Sequence, residues 1–135
     1  MNIEYKKVDN NNIDSLKKLL IDNFNIEINS VINSNNQYSL IALMNDEVVG
    51  HLLFTRIFNP IRSEYYGKID YVCVDEKYRN NHIATNLLKE IEKTEKSIAY
   101  LELTSNKSRI AANKLYLNSG YNIIDTNLFR KIINN

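Results

Sequence analysis

Cysteine, long apolar runs and an excess of one charge are all scarce in this sequence. Its 135 residues include one cysteine, Cys73, so no internal disulfide can form. No apolar run approaches the ~20 residues that a membrane-spanning helix requires, and the N-terminal residues MNIEYKKVDNNN lack the apolar stretch of a signal peptide. We therefore expect a chain with no membrane partner that resides in a reducing cytoplasm.

The charge balance argues against a nucleic-acid partner. Seventeen Lys and Arg residues against sixteen Asp and Glu residues leave a formal net charge of +1. Proteins that bind nucleic acid mainly through its phosphates need a larger positive excess. Charged residues make up 24% and hydrophobic residues 44% of the chain, close to the averages of globular domains, which excludes intrinsic disorder. The length suits one domain, which we expect to span residues 1–135.

Hydrophobic spacing predicts strands and helices in the order βααβββαβαββ, with neither a linker nor a repeat. This is the pattern of an α/β fold (α+β, with a mixed sheet). Asn45-Asp46 lies between two apolar runs and tolerates the backbone of a tight hairpin turn, while Gly120 suits a left-handed helix end. Strands are predicted over residues 2–8, 38–44, 48–58, 65–74, 98–103, 121–124 and 128–133, and helices from Ile13, over 26–32, from Ile83 and over 108–118.

The segment from Val72 to Leu88 carries the clearest indication of function. A buried strand is followed by a short polar loop and the start of a helix, where unpaired backbone N–H groups and partial positive charge favour an anion such as phosphate. The lysine-bearing phosphate loop of nucleotide hydrolases and the GxGxxG motif are both absent. The pattern taken alone also fits an ordinary helix cap.

Residues 74–84, VDEKYRNNHIA, resemble the acetyl-CoA pyrophosphate loop of the GNAT N-acetyltransferase superfamily. Arg79 and Ala84 match the core of that motif directly. Asn80 and His82 replace the usual glycines. Because Asn and, less often, His adopt left-handed backbone conformations, we expect the loop to keep its shape.

A second segment, residues 109–121 (RIAANKLYLNSGY), is similar to the superfamily motif N/R-x-A-A-x-x-x-Y-x-x-x-G-F/Y. The spacing from Tyr116 to Gly120-Tyr121 is the one that the motif requires. The two motifs and the order of elements extend the resemblance over nearly the whole chain. It implies the GNAT-like acyl-CoA N-acyltransferase fold.

The resemblance also implies acetyl-CoA as co-substrate. Main-chain groups of the fourth strand would contact its pantetheine arm and acetyl carbonyl, and the following loop would bind its pyrophosphate. Arg109 could reach a CoA phosphate, and Asn106 could take the part of the asparagine that Arg109 replaces. The candidate cofactor-binding residues are Val72, Cys73, Val74, Arg79, Asn80, Asn81, His82, Ile83, Ala84, Thr85, Asn106, Arg109 and Asn113.

Three residues are candidates for catalysis. Tyr116 resembles the tyrosine that donates a proton to the departing CoA thiolate, a task that suits a phenol with a pKa of ~10. Asp70 and Glu102 are alternative bases for the amine. Each of the two can equally be structural. Many members of the superfamily relay this proton through water, so neither residue is required as the base. Regular alternation along the fourth strand puts Asp70 on the face of Val72 and opposite Cys73.

Cysteine and histidine are expected to play no chemical part. Cys73 has apolar neighbours, whereas a nucleophilic thiolate needs a nearby base or cation, so we interpret it as a packing residue. His51 and His82 have no metal-ligand spacing, and the chain contains no CxxC or HxxxH motif. We expect no metal site.

The resemblance implies an N-acetyltransferase in which a primary amine attacks acetyl-CoA directly in a ternary complex. The acceptor is a small-molecule or peptide amine, and the chain is a monomer or a homodimer. One alternative is a catalytically silent acyl-CoA-binding or regulatory domain on the same fold. Another is an interaction module that binds no cofactor.

Overall fold

A five-stranded mixed sheet forms the framework of the structure, a computed structural model that describes residues 1–31 and 33–135. The chain comprises two compact units, Met1–Thr104 and Ser105–Asn135. The elements of the first unit are β1 (Glu4–Lys7), α1 (Ile13–Phe24), β2 (Gln37–Met44), β3 (Glu47–Asn59), β4 (Glu64–Val74), a 3-10 turn (Glu76–Tyr78), α2 (Ile83–Thr94) and β5 (Leu101–Glu102), and the second unit contains α3 (Ile110–Asn118).

The strands lie side by side in chain order, from β1 to β5. The first four pair antiparallel, and β5 pairs parallel to β4. Asn45 and Asp46, with φ of 50° and 65°, make the tight turn between β2 and β3 that the sequence predicts. The α/β fold with a mixed sheet is confirmed.

Helices α1 and α2 cover opposite faces of the sheet. On one face, Leu16 and Leu19 of α1 pack with Ile41 of β2. On the other, α2 approaches β3 so closely that a Cβ on Gly50 would lie 2.8 Å from Cγ2 of Ile83. The four apolar residues that recur at helical spacing along α2 are all buried: Ile83, Leu87, Leu88 and Ile91.

A buried carboxylate attaches the far end of α2 to the sheet. Glu95, which is 6% exposed, accepts a hydrogen bond from Tyr38 Oη at 2.9 Å and pairs with the guanidinium of Arg56. These contacts anchor α2 at its C-terminal end, so its position does not depend on the apolar face alone.

The short second helix predicted over residues 26–32 is wrong for its described part. Residues 26–31 form neither helix nor strand, and Ile32 lies outside the described residues. Helix α1 ends at Phe24, and its C-cap residue, Asn25, has a left-handed backbone (φ 50°) and donates its N–H to the Ile21 oxygen. Ile28 and Val31 still pack against the apolar cluster under α1. Their spacing therefore reflects burial without a helix.

The strands predicted at the C-terminal end are also corrected. Strand β5 is two residues long, shorter than the predicted 98–103. Residues 121–135 are all described and contain no strand, although segments 121–124 and 128–133 were expected to form two. Apolar β-rich composition indicates a strand only where a neighbour supplies the ladder of hydrogen bonds. Helix α3 does end as predicted, with Gly120 at φ 92°.

None of the described helices has the length and apolar character that crossing a bilayer requires.

Candidate active site

The loop between β4 and α2 contains two left-handed residues at positions where the family motif has glycines. Asp75 caps the 3-10 turn by accepting a hydrogen bond from the Lys77 N–H at 2.9 Å. Asn80 and His82 follow with φ of 66° and 59°, both in the left-handed region. The expectation that these residues take the place of glycines is therefore confirmed for the backbone.

Backbone N–H groups from the loop into the first turn of α2 are left without protein partners. Among the described residues, no acceptor bonds the main-chain N–H of any residue from 82 to 85, and the first such bond in the helix runs from Asn86 to His82 at 2.9 Å. Unpaired N–H groups at a helix start carry partial positive charge. This arrangement can bind an anionic group such as a diphosphate.

Two side chains shape this loop. Asn81 donates from Nδ2 to the carbonyl oxygens of Tyr78 and Arg79, at 3.0 and 3.1 Å. The guanidinium of Arg79 donates to the Val74 oxygen at 3.2 Å and more weakly to Asn23 of α1 at 3.4 Å, and it stays exposed. A guanidinium has five N–H donors, so Arg79 retains donors for a ligand.

Strand β4 contains a bulge beside the candidate thioester site. Leu53 pairs with Asp70 and His51 pairs with Cys73, so Tyr71 and Val72 together face Leu52. Tyr71 has φ 52°, a left-handed conformation that is uncommon for an aromatic residue. The bulge increases the twist of the strand locally and interrupts its alternation.

The bulge corrects the predicted orientation of Asp70. Because Asp70 and Cys73 pair with Leu53 and His51, two residues apart on β3, they lie on the same face of the sheet. Regular alternation had placed them on opposite faces. The sequence carries no indication of the extra residue, so the alternation rule failed here.

The second candidate base shares this face. Glu102 pairs with Lys68, which is two residues before Asp70 on β4. Asp70 is half-buried and Glu102 is exposed. The structure thus brings both candidate bases to one face of the sheet and does not choose between them.

The pairing of β4 with β5 ends at this point. Their ladder covers only Gly67 with Leu101 and Lys68 with Glu102, and β4 continues to Val74 with no described strand on that side. Residues 69–74 therefore run on past the end of the β5 ladder. Val72, Cys73 and Val74, the predicted main-chain contacts, all belong to this segment.

His51 is a residue that sequence reasoning considered only as a metal ligand. It is 2% exposed, and its Nδ1 and Nε2 lie 2.8 Å from the Tyr71 carbonyl oxygen and the Ser39 hydroxyl. Burial lowers its pKa from 6.5 to about 4, against the opposing effect of the Tyr71 carbonyl. The position of this histidine within an apolar, β-rich run is the sequence signal that could have indicated a buried polar contact.

Cys73 is half-buried and packs against the apolar cluster under α1, as expected of a packing residue. The described residues contain no group of three or more His, Cys, Asp or Glu side chains that could hold a metal ion.

The second unit groups the other predicted cofactor residues at the start of α3. Asn106 accepts hydrogen bonds at its carbonyl oxygen from the Arg109 N–H at 3.0 Å and from Asn113 Nδ2 at 3.1 Å. Its side-chain oxygen accepts from the N–H and hydroxyl of Ser108. Asn106, Arg109 and Asn113 thus form one polar cluster, and Arg109 is exposed.

Tyr116 lies farther along α3 and is 6% exposed. Its ring packs edge-on near that of Tyr121, with 6.2 Å between the centroids. Burial raises the pKa of Tyr116, and the nearby positive charge of Arg109 partly opposes this shift. The phenol is therefore protonated at neutral pH, the state that a proton donor needs.

Comparison with protein-family models identifies the family. The chain belongs to the acetyltransferase (GNAT) family, whose model matches residues 9–121. Comparison with curated protein sequences gives no match. The family supports acyl transfer as the class of activity.

Solved structures share the fold at low sequence identity. The chain is similar to the ribosomal-protein-alanine N-acetyltransferase of Brucella melitensis biovar Abortus 2308, with 16% identity, a TM-score of 0.81 and coverage of 98% of this chain and 100% of that one. It also resembles AAC(6')-Iy in complex with a bisubstrate analogue containing CoA, with 10% identity, a TM-score of 0.85 and coverage of 98% and 99%. A transcriptional regulator from Bacillus halodurans C-125 matches with 17% identity, a TM-score of 0.83 and coverage of 97% and 100%. Identities this low establish the fold alone.

Proposed function

We propose that this protein transfers an acetyl group from acetyl-CoA to a primary amine. The observation that carries the proposal is the run of unbonded backbone N–H groups over residues 82–85, at a helix start preceded by a loop with two left-handed residues. A diphosphate would meet several donors without displacing any protein hydrogen bond, so binding costs little rearrangement. Arg109, Asn106 and Asn113 are assigned to a further CoA contact.

The reaction proceeds by direct attack in a ternary complex. The amine nitrogen attacks the acetyl carbon, the C–N bond forms, and the C–S bond breaks as CoA leaves as a thiolate. The proton lost by the amine passes to Asp70 or Glu102, directly or through water. Tyr116 donates its phenol proton to the thiolate, and main-chain groups of Val72 and Val74 hold the thioester.

The acceptor is a small-molecule or peptide amine, and neither nucleic acid nor a membrane takes part. We assign the reaction to the cytoplasm, where the lone thiol of Cys73 stays reduced. The enzyme acts as a monomer or as a homodimer, which sedimentation would distinguish.

Adding one negative charge to either end of α2 tests the cofactor site. Ala84→Glu places a carboxylate among the unpaired N–H groups, whereas Thr94→Glu adds the same charge at the exposed last residue of the helix. We expect Ala84→Glu to weaken acetyl-CoA binding about tenfold or more, because one charged contact is worth ~1.5–3 kcal/mol. Calorimetric titration of acetyl-CoA measures the affinity, with Thr94→Glu as the matched control.

Equal affinities of the two variants would remove the loop from the cofactor site. Release of the CoA thiol with a panel of polyamines, amino sugars, amino acids and peptides measures turnover. Acetyl-CoA binding without turnover for any amine would favour the silent acyl-CoA-binding alternative. Absence of both binding and turnover would contradict acetyl transfer altogether.

Tyr116→Phe tests the proposed acid. Removing the phenol hydroxyl should lower kcat about a hundredfold or more while KM for acetyl-CoA changes little, since general acid catalysis contributes ~10²–10⁴-fold. Tyr121→Phe is the control, because the family motif accepts either aromatic residue there. A Tyr116→Phe variant that turns over like the control would eliminate Tyr116 from the mechanism.

A further inference from the structure

The interior of the sheet contains one polar pair that the proposed chemistry does not use. Ser39 of β2 and His51 of β3 are 6% and 2% exposed and lie on the face of the sheet that Asp70 and Cys73 share. Each polar contact of the imidazole is 2.8 Å long, one to the Ser39 hydroxyl and one to the Tyr71 carbonyl oxygen. The pair joins three neighbouring strands.

Hydrogen-bond chemistry determines the tautomer. A carbonyl oxygen can only accept, so Nδ1 of His51 must carry the proton that it donates to Tyr71. In the neutral ring, Nε2 then accepts from the Ser39 hydroxyl. Burial lowers the pKa of His51 to about 4, so the ring is neutral at ordinary pH and both nitrogens have suitable partners.

Tyr71 is held where the β3–β4 ladder is interrupted. The left-handed backbone of this residue costs about 1–2 kcal/mol and persists only if its surroundings hold it there. His51 holds its carbonyl oxygen, and Phe24 of α1 meets its ring edge-on with 5.2 Å between the centroids. These contacts come from separate elements, and the imidazole at one of them is buried.

The bulge decides which atoms of β4 are available to a ligand. Without the extra residue, the chain beyond Tyr71 would be displaced along β3 by one position, and Asp70 and Cys73 would lie on opposite faces. The segment affected, Tyr71 to Val74, contains the main-chain groups assigned to the thioester. A shift of about 1 Å between reacting groups costs on the order of a hundredfold in rate.

We propose that His51, held by Ser39, is a positioning residue that maintains the β4 bulge through its hydrogen bond to the Tyr71 carbonyl and so places the main chain for acyl transfer. The inference rests on the proposed acetyltransferase function. His51 touches neither substrate nor proton in this scheme. Ser39 sets the orientation and tautomer of the ring.

Four variants of the chain distinguish a positioning role of His51 from a role in packing alone. His51→Leu removes both hydrogen bonds, whereas His51→Asn retains an amide N–H donor close to the place of Nδ1. Ser39→Ala removes the hydroxyl that holds the ring. Leu40→Ala is the control, because Leu40 is buried next to Ser39 and points to the opposite face. Its cavity destabilises the fold without touching the Tyr71 carbonyl.

Steady-state kinetics well below the melting temperatures give the first readout. We expect His51→Leu to lower kcat/KM about tenfold to a hundredfold relative to Leu40→Ala, His51→Asn to recover most of this loss, and Ser39→Ala to fall in between. His51→Leu within twofold of Leu40→Ala would overturn the inference while leaving the proposed function intact. A wild type that neither binds acetyl-CoA nor transfers acetyl would overturn the proposed function and the positioning role together.

If His51→Leu fails to fold, nitrogen NMR of the imidazole still tests the positioning role of His51. The wild type should show a protonated Nδ1 and an unprotonated Nε2 at His51 from pH 6 to pH 8. Amide hydrogen exchange over residues 71–74 should be faster in Ser39→Ala than in His51→Asn or Leu40→Ala, because only Ser39→Ala loosens the group that bonds the Tyr71 carbonyl. The opposite tautomer, or exchange in Ser39→Ala no faster than in Leu40→Ala, would contradict the inference.

Discussion

The candidate site combines two backbone features that are maintained in opposite ways. The loop after β4 owes its shape to neighbours in sequence, since Asn81 bonds the carbonyls of Tyr78 and Arg79 and two residues adopt left-handed conformations themselves. The bulge within β4 is held from a distance, by Ser39 and His51 on other strands. The loop leaves its N–H groups open, whereas the bulge has its carbonyl bonded by a buried imidazole.

This difference follows from what each feature has to do. A loop that binds an anion needs unpaired donors at the surface, where water satisfies them until a ligand arrives. A bulge inside a sheet cannot leave a polar group unpaired, because a buried carbonyl without a partner costs about 1–3 kcal/mol. Local sequence is therefore enough for the loop, while the bulge depends on tertiary contacts. Three experiments test this division.

The largest expected effect is the pH dependence that His51 contributes to folding. Its pKa is about 4 in the fold, against an ordinary value of 6.5 for a solvated histidine, so the unfolded chain binds the extra proton first as pH falls. This stability is present above pH 6.5 and declines as pH falls towards 4. Denaturant unfolding should show the wild type losing about 3 kcal/mol from pH 7 to pH 4 relative to His51→Asn, at 1.36 kcal/mol per pKa unit.

Parallel pH profiles for the wild type and His51→Asn would show that His51 is not held neutral by burial. The claim that contacts from distant strands maintain the bulge would then lose its support.

The Gly50→Ala substitution tests whether the conformation of the loop depends only on residues close to it in the sequence. The new Cβ would lie 2.8 Å from Cγ2 of Ile83, the first residue of α2, so the Ile83 side chain must shift. We expect a loss of about 1–3 kcal/mol in unfolding free energy, with an acetyl-CoA affinity close to that of the wild type, because residues of the loop itself set its shape. Gly67→Ala is the control, since its Cβ would meet Phe54 and Leu101 instead.

A Gly50→Ala variant that is destabilised like Gly67→Ala but binds acetyl-CoA with wild-type affinity would show that the loop is independent of β3. That result would strengthen the distinction between a loop maintained by local sequence and a bulge maintained by distant contacts. A selective loss of affinity would weaken this distinction.

The smallest effects are expected in the loop. Asn80→Ala and His82→Ala should each lower the unfolding free energy by about 1 kcal/mol, because alanine has no side-chain group to support a left-handed backbone. Asn80→Gly and His82→Gly are the controls and should stay close to the wild type. Thermal or chemical unfolding measures the differences. Alanine variants as stable as the glycine variants would mean that the loop does not require this conformation.

Much of the fold could be predicted because its determinants are periodic or local. Helical spacing identified the buried face of α2, and Asn45-Asp46 identified the β2–β3 turn. The predicted second helix failed because Ile28 and Val31 are buried without helical hydrogen bonds. The two C-terminal strands failed because strand formation needs a pairing neighbour, which composition does not specify.

The candidate site likewise has features that the sequence predicts and features that it does not. The motif indicated the loop, and the conformations of Asn80 and His82 followed from their residue types. The orientation of Asp70 was wrong, because one extra residue in β4 reverses every later side chain. His51 was set aside as an isolated histidine, since its partners lie 12 and 20 residues away along the chain.

By itself, the sequence determined the helix faces, the tight turns, the left-handed loop residues and the family motifs, since each depends on contacts between residues close along the chain. The tertiary structure alone decided the bulge at Tyr71, the face on which Asp70 lies, and the role open to His51. These depend on strand register, which is a relation between distant segments, and both ring nitrogens of a buried histidine are hydrogen-bonded only where such a register brings them a donor and an acceptor.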